Sequence, residues 1–161
     1  TAVVLGVAPE AAARALRHTH FPEMRMALQR QPEGWTLIND AYNANPDSMR
    51  AALEVLIHQI PARRRIAVLG DMKELGAYSM RLHWSLGRWL ATQPLDYVVL
   101  VGSEVLWTAA AAREGGFPPS RLLHFETPQQ ARAWLLRTVQ KGDCVLLKGS
   151  RALGLEQAVM R

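Results

Sequence analysis

Four short apolar runs, Ile66–Leu69, Tyr97–Val101, Leu122–Phe125 and Cys144–Leu147, alternate with segments of helical period. This alternation leaves the chain few folds. Runs apolar on both sides of their alternation fit strands covered on both faces. The segments between them carry apolar stripes at helical spacing. The stripes are Met49, Leu53, Leu56, Ile57 and Ile60; Leu82, Leu86, Trp89 and Leu90; Val105, Leu106, Ala109 and Ala112; and Ala131, Trp134, Leu135 and Thr138. Strand–helix alternation favours right-handed crossovers and an open, mostly parallel sheet.

Local signals fix the boundaries. Asn45 can cap a helix that begins at Pro46. Thr127-Pro128-Gln129-Gln130 reads as a capping box, and Gly115-Gly116 closes the helix before it. Upstream, Arg25–Arg30 alternates with Met26 and Leu28 on one face. Gln31–Gly34 forms a turn and Trp35–Asp40 a second strand, which together make an antiparallel hairpin. Residues 1–16 read as the end of a helical segment whose last helix opens at Pro9 and Glu10. Arg17–Glu23, with Pro22, reads as a linker. The expected fold is α/β: a Rossmann-like open, mostly parallel sheet of about six strands, with an N-terminal antiparallel hairpin and helices on both faces. The chain begins at Thr1 rather than Met, so it reads as a piece of a longer polypeptide.

Composition narrows the function. The chain has 161 residues, 49% of them hydrophobic, enough for one sizeable core. No apolar run approaches the roughly 18–20 residues of a membrane span. The net charge is +5, but the longest basic run is Arg63–Arg65 and no aromatics interleave with it, so nucleic acid is not indicated. Lys141 and Arg63–Arg65 read as loose charges. The single cysteine, Cys144, sits in an apolar run and reads as a small core residue. His18, His20, His58 and His124 show no metal-ligand spacing. Gly-x-Ser-x-Gly and Gly-x-Gly-x-x-Gly are both missing, which argues against hydrolase and dinucleotide-binding readings.

Ligands of such sheets bind beyond the carboxyl ends of the strands. Most short polar side chains of this chain fall there. Asn39, Asp40, Tyr42, Asn43 and Asn45 follow one strand; Gly70, Asp71, Lys73 and Glu74 follow the next. Gly102, Ser103 and Glu104 follow a third, and Lys148-Gly149-Ser150-Arg151 the last. Asp40 suits the paired hydroxyls of a ribose, or serves as a turn aspartate. Arg25 is placed to pair with Asp40, to reach the same ligand, or to stand as an edge-strand charge. Tyr42 can stack on a base or fill the rim. Asn43 and Asn45 can read a base edge, and Asn45 can simply cap a helix. Lys148, Ser150 and Arg151 suit a carboxylate or a phosphate, or form a basic turn. Gly70–Gly76 reads as a loop over a ligand or as an ordinary connection. His83 is a weaker candidate one turn into the next helix.

Four separated motifs line up with one family. Arg25 lies fifteen positions before Asp40. Asp40–Ser48, Gly70–Gly76 with His83, and Lys148–Arg151 follow in order. Their wording, Asn-Ala-Asn-Pro and Gly-Asp-Met-x-Glu-Leu-Gly above all, resembles the C-terminal domain of the Mur ligases, in the form of the member that adds D-alanyl-D-alanine. The resemblance runs from about Met24 to near the end. It implies that residues 1–22 are the tail of a central ATP-binding domain plus a linker, and residues 23–161 the C-terminal domain.

The resemblance further implies a cytoplasmic ATP-dependent ligase of cell-wall precursor synthesis. Its substrates would be ATP, D-alanyl-D-alanine and UDP-N-acetylmuramoyl-tripeptide. Its partners would be its own N-terminal and central domains, the latter supplying the Walker A loop and the magnesium ligands. Arg25 and Asp40 would hold the ATP ribose, and Tyr42, Asn43 and Asn45 would line the adenosine pocket or hinge. Asp71, His83, Lys148, Ser150 and Arg151 would serve the dipeptide end. No catalytic or metal-binding residue is assigned within the chain. No Gly-x-x-Gly-Lys-[Ser/Thr] segment occurs here, so the chain alone is not expected to turn over ATP. Two other readings remain: an acid–amino-acid ligase of the folylpolyglutamate synthase type, and a non-catalytic nucleotide-binding module.

Overall fold

The structure, a computed structural model, describes residues 4–17 and 23–159. The expected boundary at 22/23, Pro22, His18 and His20 lie outside the described residues. Helix α1 (Pro9–Arg17) opens at Pro9 as the sequence indicates.

Strands β1 (Ala27–Arg30), β2 (Thr36–Asp40), β3 (Arg65–Gly70), β4 (Tyr97–Val101), β5 (Leu122–Phe125) and β6 (Cys144–Lys148) form one sheet in the order β1-β2-β6-β3-β4-β5. The β1–β2 pair is antiparallel and every other pair is parallel. Helices α2 (Pro46–His58), α3 (Ser79–Leu90), α4 (Val105–Glu114) and α5 (Pro128–Thr138) make the crossovers. The expected α/β architecture is therefore the observed one.

The pleat divides the core. Ile38, Ala67, Leu69, Val98, Leu100 and Leu146 face α2, α3 and α4 on one side of the sheet. Leu37, Val68, Val99, Val101, Val145 and Leu147 face α5 and the 3-10 turn Leu155–Ala158 on the other. Both caps form as read: Asn45 and Thr127 each make a reciprocal capping box with the residue three positions on.

Several side chains depart from the expected pattern. Leu28 does not share a face with Met26; it is exposed, whereas Met26 packs against the core. Met24 and Met26 have φ of 64° and 50°, so the backbone kinks before β1 and the alternation breaks. Leu106 points outward, and Thr108 and Ala111 take the inner face of α4. In α3, His83 is fully buried where Leu82 was expected. Two of the charges at the N-terminal rim, Arg64 and Arg65, are not loose. Arg64 meets Asp143 at 2.5 Å, which raises its pKa through that hydrogen bond, and Arg65 Nε donates to the Leu56 carbonyl. Cys144 is buried, and burial pushes its thiol up to about 11.

Candidate functional site at the carboxyl rim of the sheet

β6 is the last strand in the chain yet lies between β2 and β3. The segment after β2 runs into α2 on one face, whereas the segment after β6 leads to the turn Leu155–Ala158 packed on the other. Chain ends that diverge in this way leave a crevice, the usual ligand position in an open α/β sheet. The backbones are tightly set there: a Cβ on Gly149 would lie 3.0 Å from Gly70 Cα.

Asp40, Asp71 and Lys148 converge on this rim. Lys148 is 2% exposed, and its Nζ donates to Asp40 Oδ2 at 2.6 Å and to the Asn43 carbonyl at 2.9 Å. A cation so buried is held by its partners. Asp40 Oδ1 accepts from the Met26 N–H at 3.0 Å, so this one carboxylate ties β6, β2 and the entry to β1 together. Arg25 does not bond Asp40; its guanidinium lies 4.2 Å from the centroid of the half-exposed Tyr42 ring. That is a cation–π pair with an open outer surface. Asn43 is exposed, with its Oδ1 accepting from the Ala44 N–H, and Asn45 is engaged as the cap of α2.

Asp71 faces inward. Its carboxylate accepts from the backbone N–H groups of Ser103, Glu104 and Val105 at 3.3, 2.9 and 3.0 Å. α4 has no cap from its own N-cap side chain, and Asp71 supplies one from across the sheet. Gly102 makes room for it: a Cβ there would fall 2.6 Å from the Asp71 carboxylate, and φ is 115°. The Asp71 carbonyl accepts from the Ser150 N–H at 3.0 Å. The Ser150 hydroxyl has no hydrogen bond among the described residues.

Around Asp71 lies a clasp that sequence reasoning missed. Lys73 Nζ meets Asp71 at 2.9 Å and Glu104 at 2.7 Å, and the Ser79 hydroxyl donates to the other Glu104 oxygen. Lys73 and then Ser79 hold Glu104 below the usual carboxylate range. Glu104 and then Asp71 raise Lys73. His83 belongs to the same knot. Its Nε2 accepts from the Met72 N–H at 3.1 Å, so Nδ1 carries the proton and donates to the Ser79 carbonyl at 2.9 Å. The ring is wholly occupied in shaping the 71–79 loop. Asp71, Lys73 and Glu104 were all visible at strand ends, but only the fold shows that they meet.

Arg151 is exposed and bonds Glu156 at 3.0 Å. It stands at a cleft of about 410 Å³ whose walls include Met24, Asn39 and Glu156. A second cleft of about 370 Å³ is lined by Asp71, Gly102, Ser103, Leu106, His124 and Glu126. No group of three His, Cys, Asp or Glu able to hold a metal occurs among the described residues. No described helix is long and apolar enough to cross a membrane.

A mostly parallel sheet with a polar rim at its switch point, made by Asp40, Lys148 and the Asp71 loop, defines an open-sheet α/β domain. Residues 24–151 match the Mur ligase glutamate ligase domain, and the chain belongs to that family. It is 33% identical over 154 residues to the UDP-N-acetylmuramoyl-tripeptide–D-alanyl-D-alanine ligase of Bacillus subtilis, covering 96% of this chain and 34% of that one. Among solved structures, MurF from Acinetobacter baumannii superposes with a TM-score of 0.78 at 36% identity, over 98% of this chain and 33% of that one. MurF from Thermotoga maritima, solved in complex with ADP, gives 0.76 at 28% identity, over 98% and 34%. The chain thus spans about a third of the length of these relatives.

Proposed function

We propose that this chain is the C-terminal lobe of a ligase that joins D-alanyl-D-alanine to UDP-N-acetylmuramoyl-tripeptide in peptidoglycan precursor synthesis. ATP drives the reaction by converting the tripeptide carboxylate to an acyl phosphate, which the dipeptide amine then attacks. The supporting observation is the buried Asp40–Lys148 pair beside the Arg25–Tyr42 stack. It sets a fixed carboxylate, an aromatic face and a cation side by side at the switch point of the sheet.

In this reading the ribose hydroxyls approach Asp40, and the base lies along Tyr42, Asn43 and Asn45, with Arg25 closing over it. Lys148 serves the nucleotide end by holding Asp40 rather than by touching the dipeptide. Asp71 and His83 act through the 71–79 loop. Ser150, with its uncommitted hydroxyl, and Arg151 are left facing the incoming dipeptide. By the family resemblance, magnesium would be held by the preceding domain with the ATP phosphates. The chain's own part is to orient the ribose and to exclude water when the lobe closes.

Residue-resolved NMR titration tests this. ADP should shift the resonances of Arg25, Asp40, Tyr42 and Asn43. D-alanyl-D-alanine should shift Ser150 and Arg151. ADP shifts confined to residues away from the carboxyl rim would overturn the assignment.

A further inference from the structure

The two rims of the sheet differ in charge. At the amino ends of the strands, the turns are knit together by backbone. The Gly142 N–H donates to the Gly34 carbonyl at 2.9 Å, and the Arg63 N–H to the Gly142 carbonyl at 2.8 Å. Arg64 Nη2 donates to the Thr138 carbonyl, which ties the end of α5 to the same rim. Arg30, Arg63, Arg121, Arg137 and Lys141 are exposed along it. The carboxylates beneath them are already taken: Asp143 is buried against Arg64, and Asp96 accepts from the Arg65 N–H at 2.8 Å. Arg63 bonds the neutral Gln140, and Arg30, Arg121, Arg137 and Lys141 have no partner among the described residues. Glu33, on the 31–34 turn, is the exposed carboxylate set against them.

The opposite rim leans the other way. There Lys148 is matched by Asp40, and Lys73 by both Asp71 and Glu104, while Glu74 and Glu126 stand exposed beside them. Cations at helix ends merely offset the helix dipole, and Arg137 in the last turn of α5 can be read that way. The other four stand on strand ends and short turns, where no long helix asks for them. The Lys141 stem is laid across the turn, since a Cβ on Gly34 would fall 2.9 Å from Lys141 Cγ. That leaves less side-chain freedom to lose when the ammonium meets a partner.

We propose that this amino rim docks on an anionic lipid surface. Basic side chains near such a surface each add to the attraction, and exposed aliphatic groups deepen the contact. Leu136 is 67% exposed, and with Trp35 and Val139 it lines a cleft of about 210 Å³ at the edge of the rim. Nucleic acid fits less well, because no exposed aromatic among the described residues interleaves with these cations for a base to stack on. The charge asymmetry also sets the orientation: the field that draws Arg63 and Lys141 inward repels Glu74 and Glu126. Docked so, the molecule turns the Asp40–Lys148 rim to the solution, and no residue assigned to nucleotide or dipeptide is covered.

Vesicle flotation of the 161-residue chain tests the attraction. The chain should float with phosphatidylcholine vesicles holding one third phosphatidylglycerol, stay behind with phosphatidylcholine alone, and come off as salt rises from about 50 to about 300 mM. Arg137→Glu with Lys141→Glu, checked for folding by circular dichroism, should lower binding at least about ten-fold. Equal binding to the two vesicle types, or none to either, would overturn the proposal. Bicelles carrying a spin-labelled lipid test the geometry on the unaltered chain: amide signals of Arg63, Leu136 and Lys141 should broaden while those of Tyr42 and Asp71 stay sharp. Broadening centred on Tyr42 and Asp71 would place the contact on the wrong rim. Tighter binding to a polyuridine oligomer than to the anionic vesicles, lost in the same double variant, would assign the rim to nucleic acid and sink the lipid reading.

Discussion

Lys148 and Asp40 carry the most consequence per atom. Lys148 is buried with one carboxylate and one carbonyl for company. Lys148→Met would keep the volume and strand Asp40 without its cation, so thermal or urea unfolding should show a loss of about 3–5 kcal/mol. Asp40→Ala in the full-length ligase should raise the KM for ATP by roughly 10–100-fold, the equivalent of losing a charged hydrogen bond of roughly 1.5–3 kcal/mol. An unchanged KM would remove Asp40 from the nucleotide site. The sequence marked both residues as rim groups, because each stands at the end of a strand-like run. It gave no sign that they pair, since their separation of 108 positions carries no local signal. For the same reason Arg25 was open between Asp40 and a ligand, whereas the fold turns it onto Tyr42.

At the scale of elements, the loop from β3 to α3 is fastened to the start of α4 by charge. The pKa of Glu104 is lowered in the folded chain, so its contribution is complete above the unfolded value of about 4.3 and is lost as pH falls through the folded one. The pKa of Lys73 is raised, so its contribution is complete below about 10.4 and is lost as pH rises through its folded value. Between those limits the clasp is closed. Amide exchange in Met72–Tyr78, corrected for intrinsic rates, should stay flat across that window and quicken in acid. Glu104→Gln should abolish the acid limb; an acid limb that survives it would place the switch elsewhere. The strands and helices themselves were legible, because apolar periodicity, the Asn45 cap and the Thr127 capping box are local. What was not legible is tertiary: the kink at Met26 that turns Leu28 outward, and the packing that buries His83 in place of Leu82.

For the whole molecule, the Mur ligase domain supplies one wall of the proposed reaction chamber. Without a Walker A loop in its sequence, the 161-residue chain incubated with ATP, UDP-N-acetylmuramoyl-tripeptide and D-alanyl-D-alanine should release no phosphate in a malachite-green assay. Turnover there would refute the division of labour. The sheet order has a further consequence during synthesis. Because β6 is the last of the six strands to be made and slots between β2 and β3, a nascent chain halted before Cys144 holds a hairpin and a three-strand block with no strand between them. Each half then shows a raw, sticky edge, and closing the gap must await contacts distant along the chain, a slow and aggregation-exposed step. The rim that pairs Asp40 with Lys148 therefore comes into being only when the last of the six strands is threaded home, so no shorter nascent segment of this fold can assemble that buried pair.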